Sequence, residues 1–260
     1  MATTVVYPFS KINLGLHVLE KRADGYHNIE TLFVPHHLCD ILEITDAPGA
    51  QQDVRLFLYG LPVAGHHTSN LCVRAYHLLA EHYKLSPVEM HLYKQIPPGS
   101  GLGGGSSDGA VCLQVLNKHF ELGLDREKLL SYALQMGSDV PFFMQSLPAR
   151  PYFATGKGDV LEPFTIDLSP YRIELRFPPF FISTAEAYAA VKPQNNRISL
   201  RDLLRQPVES WKHTVVNDFE EVVFQKHPQA RQFKEALYEE GAVYASMTGS
   251  GSAFFGLFRI

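Results

Sequence analysis

Pro97-Pro98-Gly99-Ser100-Gly101-Leu102-Gly103-Gly104-Gly105-Ser106-Ser107-Asp108 lies mid-chain between a strand-like and a helix-like stretch, with five glycines in the seven positions from 99 to 105. Glycine at this density is costly in chain entropy, so its backbone freedom or its missing Cβ atoms must serve something. Bare Cα atoms let successive N–H groups converge on an anion, and the free N–H groups and dipole of a following helix add positive potential there. The chemistry expected is phosphate binding by Pro97 to Ser107, with Ser106 and Ser107 donating to phosphate oxygens or ligating a nucleotide-bound Mg²⁺. The bland alternative is a flexible connector ending in a serine cap.

Two stock patterns also fit the loop. Gly99 to Gly104 satisfies G-x-G-x-x-G, with Glu121 near the distance of a ribose-binding acid. A dinucleotide-binding strand, however, runs straight into its first glycine, whereas Ile96-Pro97-Pro98 interrupts this entry and several strands come before it. Gly105 to Gly109 satisfies G-x-S-x-G, with Ser107 as nucleophile and Asp139 and His213 following in chain order. That reading leaves the glycines upstream without a role. The lysine-bearing pattern G-x-x-x-x-G-K-[ST] is absent, which excludes a P-loop.

Other residues with chemical potential are scattered. Lys11 and Asn13 alternate with Ile12, Leu14, Leu16 and Val18 on an N-terminal strand, so they share the face opposite the apolar one. Lys11 is there either a cleft-facing cation or a solubilising edge charge. Asp139 precedes Val140-Pro141 and by itself reads as the cap of a turn. Thr248-Gly249-Ser250 is a second glycine-hydroxyl turn. The pairs His36-His37 and His66-His67 lack metal-site spacing and companion cysteines, so no protein-held metal is expected.

These residues need a scaffold. Strands are expected over 29–34, 41–45, 54–59 and 88–93, and Asn70 caps a helix bearing Leu71, Ala75, Leu78 and Leu79. Helices follow after the glycine loop and over 126–136. The turn Gly156-Lys157-Gly158-Asp159 suggests a boundary between a domain of residues 1–156 and one of 157–260. In the second, strands are expected at 173–177, 243–246 and 253–258, and helices at 184–191, 200–205, 215–225 and 230–239. The fold class is α+β. With 260 residues, 45% of them hydrophobic, the chain can bury a sizeable core, and its net charge of −4 supplies no general field for nucleic acid or an anionic membrane. Three scattered cysteines, the lack of a basic leader and the lack of a long apolar run together predict a cytoplasmic enzyme.

The chain resembles the GHMP kinases, whose central motif P-x-x-x-G-L-G-S/G-S/G-S/A is matched by Pro97 to Ser106. Ser10-Lys11-Ile12-Asn13-Leu14 and Met247-Thr248-Gly249-Ser250-Gly251-Ser252-Ala253 match the flanking motifs. Arg22 to His27, Gly101 to Ser107 and Gly137 to Phe143 narrow the resemblance to the members that phosphorylate a cytidine diphosphate-linked polyol for isoprenoid supply. It implies a ribosomal S5 domain 2-like N-terminal domain that binds ATP and a ferredoxin-like C-terminal domain, with ATP and alcohol meeting in a cleft. It implies Asp139 as acceptor of the hydroxyl proton and Lys11 as the residue holding Asp139 and the γ-phosphate. Asn70 and Lys94 become adenosine- and phosphate-side contacts, and Asn13, Thr248, Gly249 and Ser250 substrate contacts. Tyr26 and His27 offer an aromatic face and a ring N–H to a pyrimidine, with Tyr188 completing a sandwich. Mg²⁺ arrives with ATP. The partner is a small molecule, with neither nucleic acid nor membrane, and the chain is expected to be a monomer or weak homodimer. Gly109 departs from the family's alanine, which predicts a looser phosphate-binding helix. The rival is a nucleotide-binding regulator without turnover, against which the presence of both Lys11 and Asp139 argues.

Overall fold

The computed structural model describes residues 3–145 and 149–260. In chain order the elements are β1 Thr3–Val6, β2 Phe9–Lys21, β3 His27–Cys39, β4 Ile41–Asp46, β5 Val54–Gly60, α1 Leu71–Ala80, β6 Val88–Lys94, α2 Gly104–His119, α3 Arg126–Met136 and α4 Val140–Gln145. Then come β7 Tyr152–Thr155, β8 Val160–Pro163, β9 Tyr171–Arg176, α5 Thr184–Ala190, α6 Leu200–Leu203, α7 Phe219–Lys226, α8 Ala230–Glu239, β10 Tyr244–Met247 and β11 Phe254–Arg259. Two compact units share the chain: the described residues of 1–10, 37–98 and 103–147 form one, and those of 11–36, 99–102 and 148–260 the other.

The first unit is built on a sheet of order β1-β4-β6-β5. β5 and β6 are parallel, a pairing that needs a long crossover, and α1 provides it. Leu42, Ile44, Met90 and Leu92 are fully buried, as are Cys72, Ala75 and Leu79 of α1 and Ala110, Cys112, Leu113 and Leu116 of α2. Asn70 caps α1 by accepting from the Cys72 N–H at 2.9 Å, and Asp125 caps α3 by accepting from that of Lys128 at 2.8 Å. The turn expected at Val140-Pro141 is the first turn of α4, where proline's missing N–H is harmless.

The second unit holds two sheets, β2-β3-β7-β8 and β10-β11-β9. Leu16 and Val18 of β2 share a core with Phe219 and Val223 of α7, Leu237 of α8, and Met247 and Phe254 of the second sheet. The turn at 156–159 is no boundary: it joins β7 to β8, which pair from Thr155 with Val160 to Tyr152 with Pro163. Gly156 and Gly158 have φ of 65° and 100°, which the reversal needs. The division at 156 therefore differs from that of the units, since residues 11–36 and 149–156 belong with the C-terminal half. α7 also begins later than expected. Leu16 bonds to Val216 and Asp218 through its N–H and carbonyl, which holds residues 216–218 extended beside β2.

Gly109 tightens the first unit where the sequence suggested loosening. A Cβ there would lie 2.8 Å from Leu71 Cβ and 2.8 Å from Met136 Cε. Helix propensity favours Gly109→Ala by up to ~1 kcal/mol, but Leu71 Cβ cannot rotate away and overpacking costs about 1–3 kcal/mol. The variant is expected to melt a few degrees lower; an unchanged or raised Tm in calorimetry would show that α1 and α2 part without loss.

Candidate active site

In the second unit β2 brings Lys11 and Asn13 against residues 99–102 of the glycine loop and the β10–β11 turn. Lys11 is 3% exposed, and its ammonium donates to Asn13 Oδ1 at 2.5 Å and to the Gly101 carbonyl at 2.9 Å. Its backbone N–H donates to the Leu102 carbonyl at 3.0 Å, so strand and loop are stitched side by side. Thr248 closes the group: its hydroxyl accepts from the Asn13 N–H at 3.0 Å and donates towards Asn13 Oδ1 at 3.2 Å and the Gly101 carbonyl at 3.3 Å. A Cβ on Gly101 would fall 2.1 Å from the Thr248 carbonyl oxygen, and Gly101 has φ of 81°, so only glycine fits. Ser100 joins through its carbonyl, which accepts from the Ala253 N–H at 3.1 Å. Gly249 packs on Gly101, with a hypothetical Cβ 3.1 Å from its carbonyl oxygen, and the Ser250 hydroxyl meets that of Thr184 at 2.8 Å.

Two supports of this cluster were not found from sequence. Thr31 accepts from Asn13 Nδ2 at 2.9 Å and donates to the Gly15 carbonyl at 2.6 Å, which fixes the Asn13 amide. Asn217 donates from Nδ2 to the carbonyls of Met247 and Gly249, both at 2.8 Å, and so holds the β10–β11 turn. Asn217-Asp218 carries a start-of-helix signal just before an apolar helical run, which the periodicity over 215–225 masks by extending the helix through it.

In the first unit the rest of the loop rests on a buried ionic triad. Lys94 pairs with Asp40 and, at 2.6 Å, with Asp108; all three side chains are at most 4% exposed. Asp40 also accepts from the N–H groups of Gln95 at 2.6 Å and Ile96 at 2.9 Å. The triad thus ties the end of β6 to the second turn of α2, the two elements that flank the loop. Lys94, expected as a phosphate contact, is instead committed to two carboxylates. Burial pushes the Asp108 carboxyl up to about 7, an effect that Lys94 opposes and Asp40 adds to. Burial disfavours the Lys94 ammonium, yet Asp108 and Asp40 outweigh it and raise its pKa. Gly103, with φ of 74°, leads into α2, and a Cβ on Gly104 would lie 2.8 Å from Ile96. Gly105 faces open space, Ser106 is half-buried, and Ser107 is fully buried, its hydroxyl without a partner among the described residues. Asn70, as cap of α1, has its Oδ1 engaged with the backbone. Asp139 is half-buried and its carbonyl accepts from the Phe142 N–H at 3.2 Å as α4 begins.

The expected aromatic pair is arranged differently from a sandwich. Tyr188 stacks on His27, ring centroids 5.2 Å apart, and meets Phe219 edge-on at 4.8 Å. Tyr26 is 56% exposed, with the Lys157 ammonium 4.8 Å from its ring centre. Burial, then Lys21, lowers the His27 pKa and favours the neutral ring. Among the described residues no helix is long and apolar enough to cross a membrane.

Comparison with known proteins places these features in context. Family models described as "GHMP kinases N terminal domain" and "GHMP kinases C terminal" match residues 70–146 and 193–259. A protein of Bacteroides thetaiotaomicron named 4-diphosphocytidyl-2-C-methyl-D-erythritol kinase is 46% identical over 255 residues, 98% of this chain and 92% of its own length. One of the same name from Cytophaga hutchinsonii is 44% identical, with the same coverage of both chains. A crystal structure of 4-(cytidine 5'-diphospho)-2C-methyl-D-erythritol kinase superposes with a TM-score of 0.80 at 32% identity, covering 98% of this chain and 90% of that one. The Methanococcus jannaschii mevalonate kinase, at 13% identity and a TM-score of 0.67 over 99% of this chain and 91% of that one, shares the fold.

The triad has a pH signature. Asp108 titrates near 3.8 when unfolded and near 7 when folded, so between those values the folded state binds more protons and stability falls as pH rises. Asp108→Asn keeps an acceptor for Lys94 and has no proton to lose. Its stability relative to wild type is expected to improve steadily from about pH 4 to pH 7 in urea titrations; a difference constant across that range would show that Asp108 does not titrate there.

Proposed function

This chain belongs to the GHMP kinases, and on that premise we propose that it transfers the γ-phosphoryl group of ATP to the 2-hydroxyl of 4-diphosphocytidyl-2-C-methyl-D-erythritol. The observation that carries the reading is identity above 40% over almost the full length with kinases named for that substrate. Phosphoryl transfer needs alignment and charge stabilisation more than covalent help. Lys11 suits the second task, because Asn13 and the Gly101 carbonyl hold its ammonium at the glycine loop and no reorganisation is needed when charge develops. Asp139 accepts the proton of the attacking hydroxyl. The open side of Gly105 and the hydroxyl of Ser106, at the N-terminus of α2, receive the ATP phosphates. Mg²⁺ brought by ATP supplies charge neutralisation, and the Ser106 hydroxyl is the side chain offered to it. The exposed ring of Tyr26 supplies a flat partner for the cytosine. His27, braced by Tyr188, supplies an N–H for its edge, while Thr248, Gly249 and Ser250 line the polyol side.

Three free cysteines accord with a reducing compartment, and we place the enzyme in the cytoplasm, in the non-mevalonate route to isoprenoid precursors. The test is ADP release with ATP and a panel of alcohols. Turnover confined to the cytidine-linked polyol supports the reading; ATP binding without turnover of any alcohol would favour the regulator instead.

Asp139→Asn is expected to lower kcat by ~10²- to 10⁴-fold with ATP affinity kept, since only the proton acceptor is lost. A variant that keeps half of the wild-type kcat removes Asp139 from the chemistry. Tyr26→Ala is expected to raise KM for the cytidine-linked substrate about tenfold, by loss of one aromatic stack worth ~1 kcal/mol or more, and to leave KM for ATP unchanged. Equal turnover of free methylerythritol phosphate and its cytidine diphosphate derivative would dismiss the base site.

A further inference from the structure

The turn Gly156-Lys157-Gly158-Asp159 between β7 and β8 is arranged around one side chain. Left-handed glycines flank Lys157 on both sides, and the Asp159 carboxylate accepts from the Lys157 N–H at 3.2 Å. A Cβ on Gly156 would lie 2.8 Å from that same carboxylate oxygen, so the first glycine makes room for the bond. The turn is also fastened to β3. The Ile29 N–H donates to the Gly156 carbonyl at 2.8 Å, and a Cβ on Gly158 would touch Ile29 at 3.6 Å. Ile29 stands two residues beyond His27, so the tip of the hairpin is fixed beside the residues assigned to the pyrimidine.

Lys157 ends on Tyr26. Its ammonium lies 4.8 Å from the centre of a ring that is 56% exposed. Among the described residues the one carboxylate in ion-pairing range of Lys157 is that of Asp159, 4.0 Å away, at the limit of such a pair. Arg22, in the turn that carries Tyr26, is engaged more tightly: its Nε donates to both Asp24 oxygens at 3.1 Å, and its Nη1 donates to Asn28 Oδ1 at 2.9 Å. Lys157 is therefore a half-buried cation with a weak hold, because a partly exposed cation–π contact is worth less than a charge-assisted hydrogen bond to an anion.

Taking Tyr26 and His27 as the base site, on which the assignment rests, we infer that Lys157 is a specificity-determining residue that receives the diphosphate bridge of the cytidine-linked substrate. With one face of Tyr26 under Lys157, the base takes the other, and the diphosphate leaving the ribose passes the ring edge within the swing of the lysine stem. There the ammonium exchanges the ring for phosphate oxygens. The net charge of −4 offers anions no general field, so a local cation is what distinguishes a nucleoside diphosphate from a bare nucleoside at this site. The glycine-flanked turn holds the root of the side chain in place while its stem stays free to move.

Inhibition by cytidine and by cytidine diphosphate, each competing with the cytidine-linked substrate, tests this in the whole chain. Wild type is expected to bind cytidine diphosphate about tenfold more tightly than cytidine. Lys157→Met keeps most of the stem and loses the charge, and is expected to bring the two within about twofold by weakening the diphosphate alone. Lys157→Arg is expected to keep most of the preference, and raised salt to narrow it in wild type only. Lys21→Met removes a different charge, one that acts on His27, and is expected to leave the preference as in wild type. A Lys157→Met variant with the wild-type preference would overturn the assignment. So would one that weakens both ligands equally, since a lysine that only braces Tyr26 acts through the base. An equal loss in Lys21→Met would replace the contact by a general field. Failure of cytidine itself to compete in wild type would remove the base site, and the role of Lys157 with it.

Discussion

The second unit's part of the site depends on one close approach: the bare Cα of Gly101 against the Thr248 carbonyl. That contact lets the β10–β11 turn and the glycine loop lie backbone to backbone. The Gly101 carbonyl then becomes a shared acceptor for the Lys11 ammonium and the Thr248 hydroxyl. Any side chain at 101 would force the turn away, and Lys11 would lose the acceptor that fixes its charge. Asn13 binds the Lys11 ammonium and the Thr248 hydroxyl from the strand side, and Thr31 prevents its amide from turning. Burying an ammonium is costly unless its hydrogens are used, and Asn13 and the Gly101 carbonyl take two of them.

The first unit solves a related problem with ions. Lys94, Asp40 and Asp108 are buried together, and burying charge is rarely the most stable solution. Its return is geometric. Asp40 grips two successive peptide N–H groups at the end of β6, Lys94 links it to Asp108, and α2 is thereby registered against the strand from which the loop departs. The raised pKa of Asp108 follows from that burial and from a second carboxylate beside the same lysine.

The glycines of the loop, which look alike on paper, do different work. Gly101 is required by backbone contact, Gly103 by its left-handed conformation at the entrance to α2, and Gly104 by the packing of Ile96 beneath the helix. Gly105 is neither strained nor crowded, and its missing side chain leaves open space above the N-terminus of α2. Gly109, further along the same helix, is a packing glycine that admits α1.

The sequence by itself determined the strands and helices with strong periodicity, the cap Asn70 and the α+β class, and it singled out the glycine loop and the motif residues Lys11, Asn13 and Thr248. These are local facts, carried by alternation, capping chemistry and glycine density within a few residues. What only the tertiary structure decided involves partners far apart in the chain. It set Lys94 against Asp40, 54 residues away, and so turned an expected phosphate contact into a clasp. It stacked Tyr188 on His27 and tied Asn217 to the β10–β11 turn. It also made the glycine pair at 156 and 158 a hairpin turn, because a turn signal specifies a reversal of the chain and not which strands lie on either side of it. Burial and pairing are properties of the neighbours a residue acquires, and for these residues the neighbours arrive only when the chain has folded.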